Sequence, residues 1–237
     1  MAYITHPGNI GASARAMKTM GFRRLRLVSP RGFPGAEITA RAAGADDVLA
    51  SASVYESLKD SIADCSLVYA TSARIRGLSC PVLDPVQAAG NIATHVAAGA
   101  QAAVLFGQER TGLSNSDLEL CNGMIRIPTD PGFTSLNVAA AVQLICYELR
   151  RLLVRPQVTP AVPAGNAASV SSSDMEQFYD HLERTLVDIG FMDPARPRRL
   201  MRRMRGLFNR ARLDSNEYNI LRGILAAAQR KSRDGEK

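Results

Sequence analysis

Through the first two-thirds of the chain, short apolar runs rich in β-forming residues alternate with stretches of helical periodicity. Strands are predicted over residues 24–28, 66–71, 102–106 and 124–127, with a shorter candidate at 2–5. Helices are predicted over 10–20, 38–43, 54–63, 85–98 and 136–153. Several ends carry their own stop and start residues. Gly21 and Gly44 suit C-terminal caps, and Asp84 before Pro85 suits an N-cap with proline at the first helical position. Strands alternating with helices predict an α/β fold, a parallel sheet covered by helices.

From residue 155 to 173 the pattern gives way to RPQVTPAVPAGNAASVSSS, the composition of a solvated linker. The expected organisation is an α/β domain over 1–155, a flexible linker over 156–172 and a small all-helical extension over 173–237. Three helices are predicted in the extension. The first starts at Ser173 with Glu176 three residues on, a capping-box pattern, and ends near Gly190; the last is capped by Asp214 or Ser215.

A chain of 237 residues with 46% hydrophobic content supports one substantial domain and a smaller appendage. No run of eighteen apolar residues exists, and the opening MAYITHPGNIG has neither a basic leader nor a long apolar region, so a cytoplasmic protein without a membrane span is expected. Cys65, Cys80, Cys121 and Cys146 stand far apart without a CxxC pair, which disfavours a zinc site or a disulfide framework and predicts neutral thiols. The formal charge of +7 favours polyanionic partners without specifying one.

In an open parallel sheet, ligands bind beyond the carboxyl ends of the strands. Three loops occupy that position here: Thr71, Ser72 and Ala73; residues 107–112, GQERTG; and residues 128–137, PTDPGFTSLN. GQERTG has the glycine spacing of a phosphate-binding loop, but Leu113 stands where the lysine belongs, and no GxGxxG follows a strand. Kinase, ATPase and dehydrogenase chemistry is thereby disfavoured. A cofactor held largely by backbone groups, such as S-adenosylmethionine, remains compatible.

Polar residues in three segments add candidate chemistry. Asn9, Gly11 and Arg15 form N-x-G-x-x-x-R at a helix start, which alone is an ordinary capped helix. Glu109 and Arg110 suit a surface ion pair. Ser135 and Asn137 suit caps for the helix beginning near Leu136, a better local account of Ser135 than of Asn137.

Together the segments resemble the SpoU class of the SPOUT (α/β-knot) RNA methyltransferases: Asn9, Gly11 and Arg15 as motif one, LFGQERTGLS as motif two and IPTDPGFTSLNVAAAVQL as motif three. TSAR at residues 71–74, ARAMKTMGF at 14–22 and the helical extension look most like the TrmJ group of tRNA 2′-O-methyltransferases. The resemblance implies a deep C-terminal trefoil knot, which chain-topology rules would never predict. It implies S-adenosyl-L-methionine bound by Thr71, Ser72, Ala73, Gly107, Ile127, Ser135 and Leu136, with Asn9, Arg15, Glu109, Ser135 and Asn137 as catalytic residues. It also implies a homodimer in which Arg15 approaches the neighbour's cofactor. The class assigns Arg15 to activating a ribose 2′-hydroxyl, although an arginine stays protonated, and orientation through an adjacent phosphate is an equal alternative. The substrate implied is tRNA at nucleotide 32 of the anticodon loop; ribosomal RNA, another tRNA position, or a non-catalytic RNA-binding role are the alternatives.

Between Ala195 and Arg212 stand eight arginines and no acidic residue, interleaved with Leu200, Met201, Met204, Leu207 and Phe208 as an apolar stripe. Such a helix docks its stripe on neighbouring helices, lies on a membrane surface, or also grips RNA phosphates. Flanking helices able to bury the stripe disfavour the membrane. Docking with phosphate contact by Arg199, Arg202 and Arg203 is the expectation carried forward.

Overall fold

The computed structural model describes residues 1–73, 80–154, 169–193 and 198–234, and of 198, 199, 233 and 234 the backbone alone. Most of the expected linker and Arg74 of the TSAR segment lie outside the described residues. The element order is α1 (Pro7–Thr19), β1 (Arg26–Val28), α2 (Ala36–Ala42), α3 (Asp46–Ala50), β2 (Ser53–Tyr55), α4 (Leu58–Ser61), β3 (Leu67–Thr71), β4 (Val82–Leu83), α5 (Pro85–Ala97), β5 (Ala102–Leu105), α6 (Asn115–Leu118), β6 (Gly123–Ile125) and α7 (Val138–Val154). Three helices follow, α8 (Ser172–Asp188), α9 (Arg198–Ala211) and α10 (Ser215–Asp234).

All the strand pairs are parallel, in the orders β1-β2 and β4-β6-β3-β5. The first residues join the two sets: the Ala2 N–H donates to Phe106 O at 2.8 Å and the Tyr3 N–H to Val28 O at 2.9 Å. Residues 2–5 therefore make a single bridge rather than a strand, because Tyr3 turns into the left-handed region at φ 59°. Alternation along β3 divides the core. Leu67 and Tyr69 face a cluster with Ile10, Ile38, Ile92, Val142 and Ile145 under α1, α2, α5 and α7. Val68 and Ala70 face Leu58, Ile62, Leu113, Leu118 and Met124 on the other side.

One predicted helix is broken by the sheet. Val54 and Tyr55, the first two residues of the helix predicted over 54–63, pair with β1 as part of β2, and only a four-residue helix follows, restarted by Ser57, whose hydroxyl accepts the Asp60 N–H. A three-residue strand has too few positions to display a period, and Val54 and Tyr55 are natural β-formers. The Asp84 cap forms as expected, a full capping box with Gln87. The first helix of the extension starts earlier than expected, capped by Ser171 onto Asp174, and Glu176 is drawn instead into ion pairs with Arg205 and Lys59. Asp214 caps α10 reciprocally with Glu217.

The extension has its own core, in which Phe178, Tyr179, Leu182 and Leu186 of α8 meet Met201, Met204, Phe208, Tyr218 and Leu221. Phe178 and Phe208 pack edge to face at 4.9 Å. This unit docks beside the starting ends of the strands. Ser172 N–H donates to Cys65 O at 2.7 Å, Ser173 N–H to Ala63 O at 3.1 Å, Asn209 Nδ2 to Glu119 O at 3.1 Å, and Asn122 Nδ2 to Asn209 O at 3.2 Å. Arg212 reaches the hydroxyl of the fully buried Tyr69.

Gly11 sits where α1 crosses α2, and an added Cβ would stand 2.0 Å from the Ile38 carbonyl oxygen and 2.9 Å from the Ala42 nitrogen. Neither backbone atom can yield without separating the helices. Gly11→Ala is expected to destabilise by about 1–3 kcal/mol, lowering Tm by several degrees. Gly90→Ala, with nothing within 4 Å of its added Cβ inside α5, is expected to hold or raise Tm. Thermal unfolding of the pair checks the assignment, which fails if Gly11→Ala melts with the parent.

Candidate active site

The loops leaving β3, β5 and β6 enclose a cleft of about 190 Å³. Thr71, Ser72 and Ala73 line it from the first loop, Gly107 to Leu113 from the second, and Ile127, Thr129, Thr134, Ser135 and Leu136 from the third. All seven residues expected to hold a cofactor thus face one space. β3 lies between β5 and β6, so the chain's lateral order reverses at the cleft, the place where open sheets take ligands. Thr71 Oγ1 donates to Leu105 O at 2.9 Å and the Ser72 N–H to Ile125 O at 3.1 Å, fixing the central loop to both neighbours.

The second loop doubles back on itself, and a Cβ on Gly107 would stand 2.5 Å from both Gly112 C and Leu113 N. Only glycine permits that approach. Leu113, standing where a phosphate-binding lysine would be, is 3% exposed and anchors the returning arm in the core.

At the tip of this loop Glu109 departs from the surface ion pair with Arg110 that its position suggests. Its Oε1 accepts Asn9 Nδ2 at 2.8 Å and the His6 N–H at 3.2 Å; its Oε2 accepts Thr5 Oγ1 at 2.8 Å and the Thr5 N–H at 3.2 Å. Helix α1 has no side-chain cap from His6, so Glu109 supplies the anion at its start from a hundred residues away. Partial burial pushes the carboxyl pKa up, but the bonds from Asn9 and Thr5 outweigh it and hold it at about 2.

Asn9 continues the chain of bonds, accepting Asn137 Nδ2 on Oδ1 at 3.0 Å. Asn137 in turn caps α7, its Oδ1 accepting the Ala139 N–H at 2.9 Å and its carbonyl the Ala141 N–H at 3.0 Å. The cap expected of Ser135 therefore belongs to Asn137, because α7 begins at Val138, two residues later than predicted; Ser135 is left facing the cleft. Thr5 was invisible as a participant, since no local pattern marks a residue bonded across the sheet.

Arg15 is not part of this cluster. It is exposed, does not line the cleft of its own chain, and has no side-chain partner among the described residues. Six residues beyond Asn9, it lies about 120° around α1 from that side chain.

The arginine-rich helix divides its charges. Met201 is buried and Leu200, Met204 and Phe208 pack beside it, but Leu207 stays exposed rather than joining the stripe. Arg202 Nε pairs with Glu119 at 2.6 Å, Arg205 with Glu176, and Arg212 with Tyr69. Arg203 is exposed, whereas the Arg199 side chain lies outside the described residues.

A family model described as the SpoU rRNA methylase family matches residues 1–147. The chain belongs to this family. A second model, the C-terminal domain of tRNA methyltransferase TrmJ, matches residues 173–237. The TrmJ of Pseudomonas aeruginosa, named a tRNA (cytidine/uridine/adenosine-2′-O-)-methyltransferase, is 44% identical over 97% of this chain and 92% of its own. That of Klebsiella pneumoniae, named for cytidine and uridine, is 45% identical over 97% and 94%. Among solved structures, TrmJ from Z. mobilis superposes with a TM-score of 0.82 at 36% identity, covering 95% of this chain and 96% of that one. A probable methylase from Haemophilus influenzae gives 0.64 at 38% identity, over 100% and 96%.

In this SpoU-family chain the Glu109 carboxylate should be visible in stability. Its folded pKa of about 2 lies below the ordinary 4.5, so the stability it contributes is present above pH 4.5 and fades as pH falls toward 2. Glu109→Gln turns an amide donor toward donors, and is expected to cost about 1–2 kcal/mol at pH 7 after allowing for solvent contact. The Tm difference from the parent should shrink between pH 4.5 and 2; a difference independent of pH would refute the assignment.

Proposed function

We propose that this chain transfers a methyl group from S-adenosylmethionine to the 2′-hydroxyl of a tRNA ribose, at nucleotide 32 of the anticodon loop, working as a cytoplasmic homodimer. The observation that carries the reading is the convergence of the second and third SpoU segments on one cleft, with the first segment tied to both by the Asn137 to Asn9 to Glu109 bonds. tRNA is favoured over ribosomal RNA by the TrmJ C-terminal match over 173–237 and by the names of relatives covering nearly the whole chain. The division into a methyl-transfer unit over 1–155, a linker over 156–172 and an RNA-gripping unit over 173–237, and a knotted path of α7, belong to the same proposal.

The cleft suits this cofactor. Its lining combines small and polar residues, Thr71, Ser72, Ala73, Gly107 and Ser135, with apolar Ile127 and Leu136, and Glu109 lines it together with Arg110. Thr71, Ser72, Ala73, Gly107, Ile127, Ser135 and Leu136 would hold the cofactor, which supplies an electrophilic methyl. The ribose oxygen would form the new bond to that methyl in line as its bond to sulfur breaks, the neutral thioether leaving and the hydroxyl proton passing to solvent water, a step that depends on alignment more than on strong base catalysis. Glu109 is a poor proton acceptor, with its pKa at about 2 and four donors already upon it. Its part is to hold α1 and Asn9. Ser135 lines the cleft, and Asn137 holds the start of α7 and Asn9 behind it.

Arg15 enters from a second copy in this reading. α7 packs against α1, the helix that carries Arg15, and leaves Leu144, Tyr147 and Val154 exposed at spacings that share one helix face, an apolar stripe suited to self-association. The guanidinium binds the phosphate next to the target ribose, fixing the hydroxyl for attack.

Methyl transfer to unmodified tRNA, followed by mapping of the ribose-methylated nucleotide, tests the proposal. A single site at nucleotide 32 is expected, with Arg15→Ala lowering kcat/KM by about 100-fold or more. Full activity in Arg15→Ala removes the assigned role, and absence of transfer to tRNA removes the function.

A further inference from the structure

We propose that Phe133 is the platform on which the base of the target nucleotide stacks during methyl transfer, an inference that rests on the reaction proposed for this cleft. Single exposed apolar side chains are common and carry no meaning by themselves. Phe133 is distinguished by how it is held and where it stands. It is 78% exposed, on the loop that forms one bank of the cleft. Its N–H donates to Asp130 O at 3.0 Å, the Gly132 N–H donates to Asp130 Oδ1 at 2.7 Å, and Thr129 Oγ1 donates to Thr134 O at 3.4 Å. The turn is tied on both sides of the ring, so the aromatic is presented by a built structure.

The residues that follow it, Thr134, Ser135 and Leu136, line the cleft, but Phe133 does not. The ring therefore stands on the rim, outside the space a cofactor fills. On the opposite bank, across β3, exposed Arg110 lines the cleft from the loop after β5. In-line attack requires the ribose hydroxyl to enter the mouth of the cleft. A ribose so placed leaves its base drawn out of the stack of its neighbours, with an apolar face to cover. An aromatic ring on the rim covers that face without reading hydrogen-bonding edges, and a cation across the mouth suits the adjoining phosphate. This is the combination by which single-stranded nucleic acid is held with little preference for the base.

The test is steady-state transfer to two tRNAs, one intact and one abasic at the nucleotide the parent protein methylates, with the parent, Phe133→Ala and Phe133→Tyr. On intact tRNA, Phe133→Ala should raise KM roughly tenfold while Phe133→Tyr restores it. The abasic tRNA should cost the parent a similar factor and Phe133→Ala nothing further. Cofactor affinity by calorimetry and self-association by sedimentation should not move. An undiminished Phe133→Ala effect on the abasic tRNA, weakened cofactor binding, lost self-association or an unchanged KM would each overturn the proposal. If the parent transfers no methyl to tRNA, the reading of the cleft fails and takes this proposal with it; an active parent with Phe133→Ala unchanged defeats this proposal alone.

Discussion

One carboxylate holds the site in register. Glu109 takes two backbone N–H groups at the start of α1, the Thr5 hydroxyl and the Asn9 amide, and so ties the loop after β5 to a helix that has no cap of its own. The loop is stiff enough to serve as the anchor because its base turns tightly at Gly107 and its returning arm is pinned by Leu113. Through Asn9 the tie extends to Asn137, which caps α7. The starts of two helices that pack on each other are thereby fixed to the walls of the cleft. Charge-assisted bonds at a helix N-terminus are among the stronger polar interactions available, and here four donors meet one carboxylate.

The sheet separates two kinds of work. Its carboxyl ends carry the cleft, whereas the strand-starting ends receive the helical extension at Cys65, Glu119, Cys121 and Asn122. Packing inside the extension, together with that docking, explains why a segment so rich in arginine does not present all of them outward. Arg205 lies over the Tyr179 ring at 4.4 Å and pairs with Glu176, and Arg212 bonds to buried Tyr69. Arg202 keeps a surface pair with Glu119 that phosphate could displace at little cost, since exposed ion pairs contribute little. The basic character of α9 thus serves packing and, in the proposed function, RNA.

How much was legible follows from the range of the interactions concerned. β3, α5 and α7 declare themselves locally through burial period and, for α5, the Asp84 cap, and the convergence of three strand-end loops followed from parallel topology. Where two explanations were both local, the sequence could mislead: β2 looked like the first turn of a helix, and Ser135 looked like the cap that Asn137 provides. The Glu109 bonds reach residues about a hundred positions away, and the pairing of Glu176 with Arg205 links two different helices; spacing along the chain contains neither. The SpoU resemblance marked Asn9, Glu109 and Asn137 as belonging together, while the structure supplies the reason, a continuous chain of hydrogen bonds.

That chain is testable without substrate. Glu109 and Asn137 are joined through Asn9, with no hydrogen bond between their own side chains among those described. A double-mutant cycle of Glu109→Gln and Asn137→Ala, read as unfolding free energy at pH 7, is predicted to show a coupling of about 0.5 kcal/mol or more that disappears in an Asn9→Ala background. Additivity of the two substitutions within about 0.3 kcal/mol would contradict the account, leaving three independent motifs in place of one organised site.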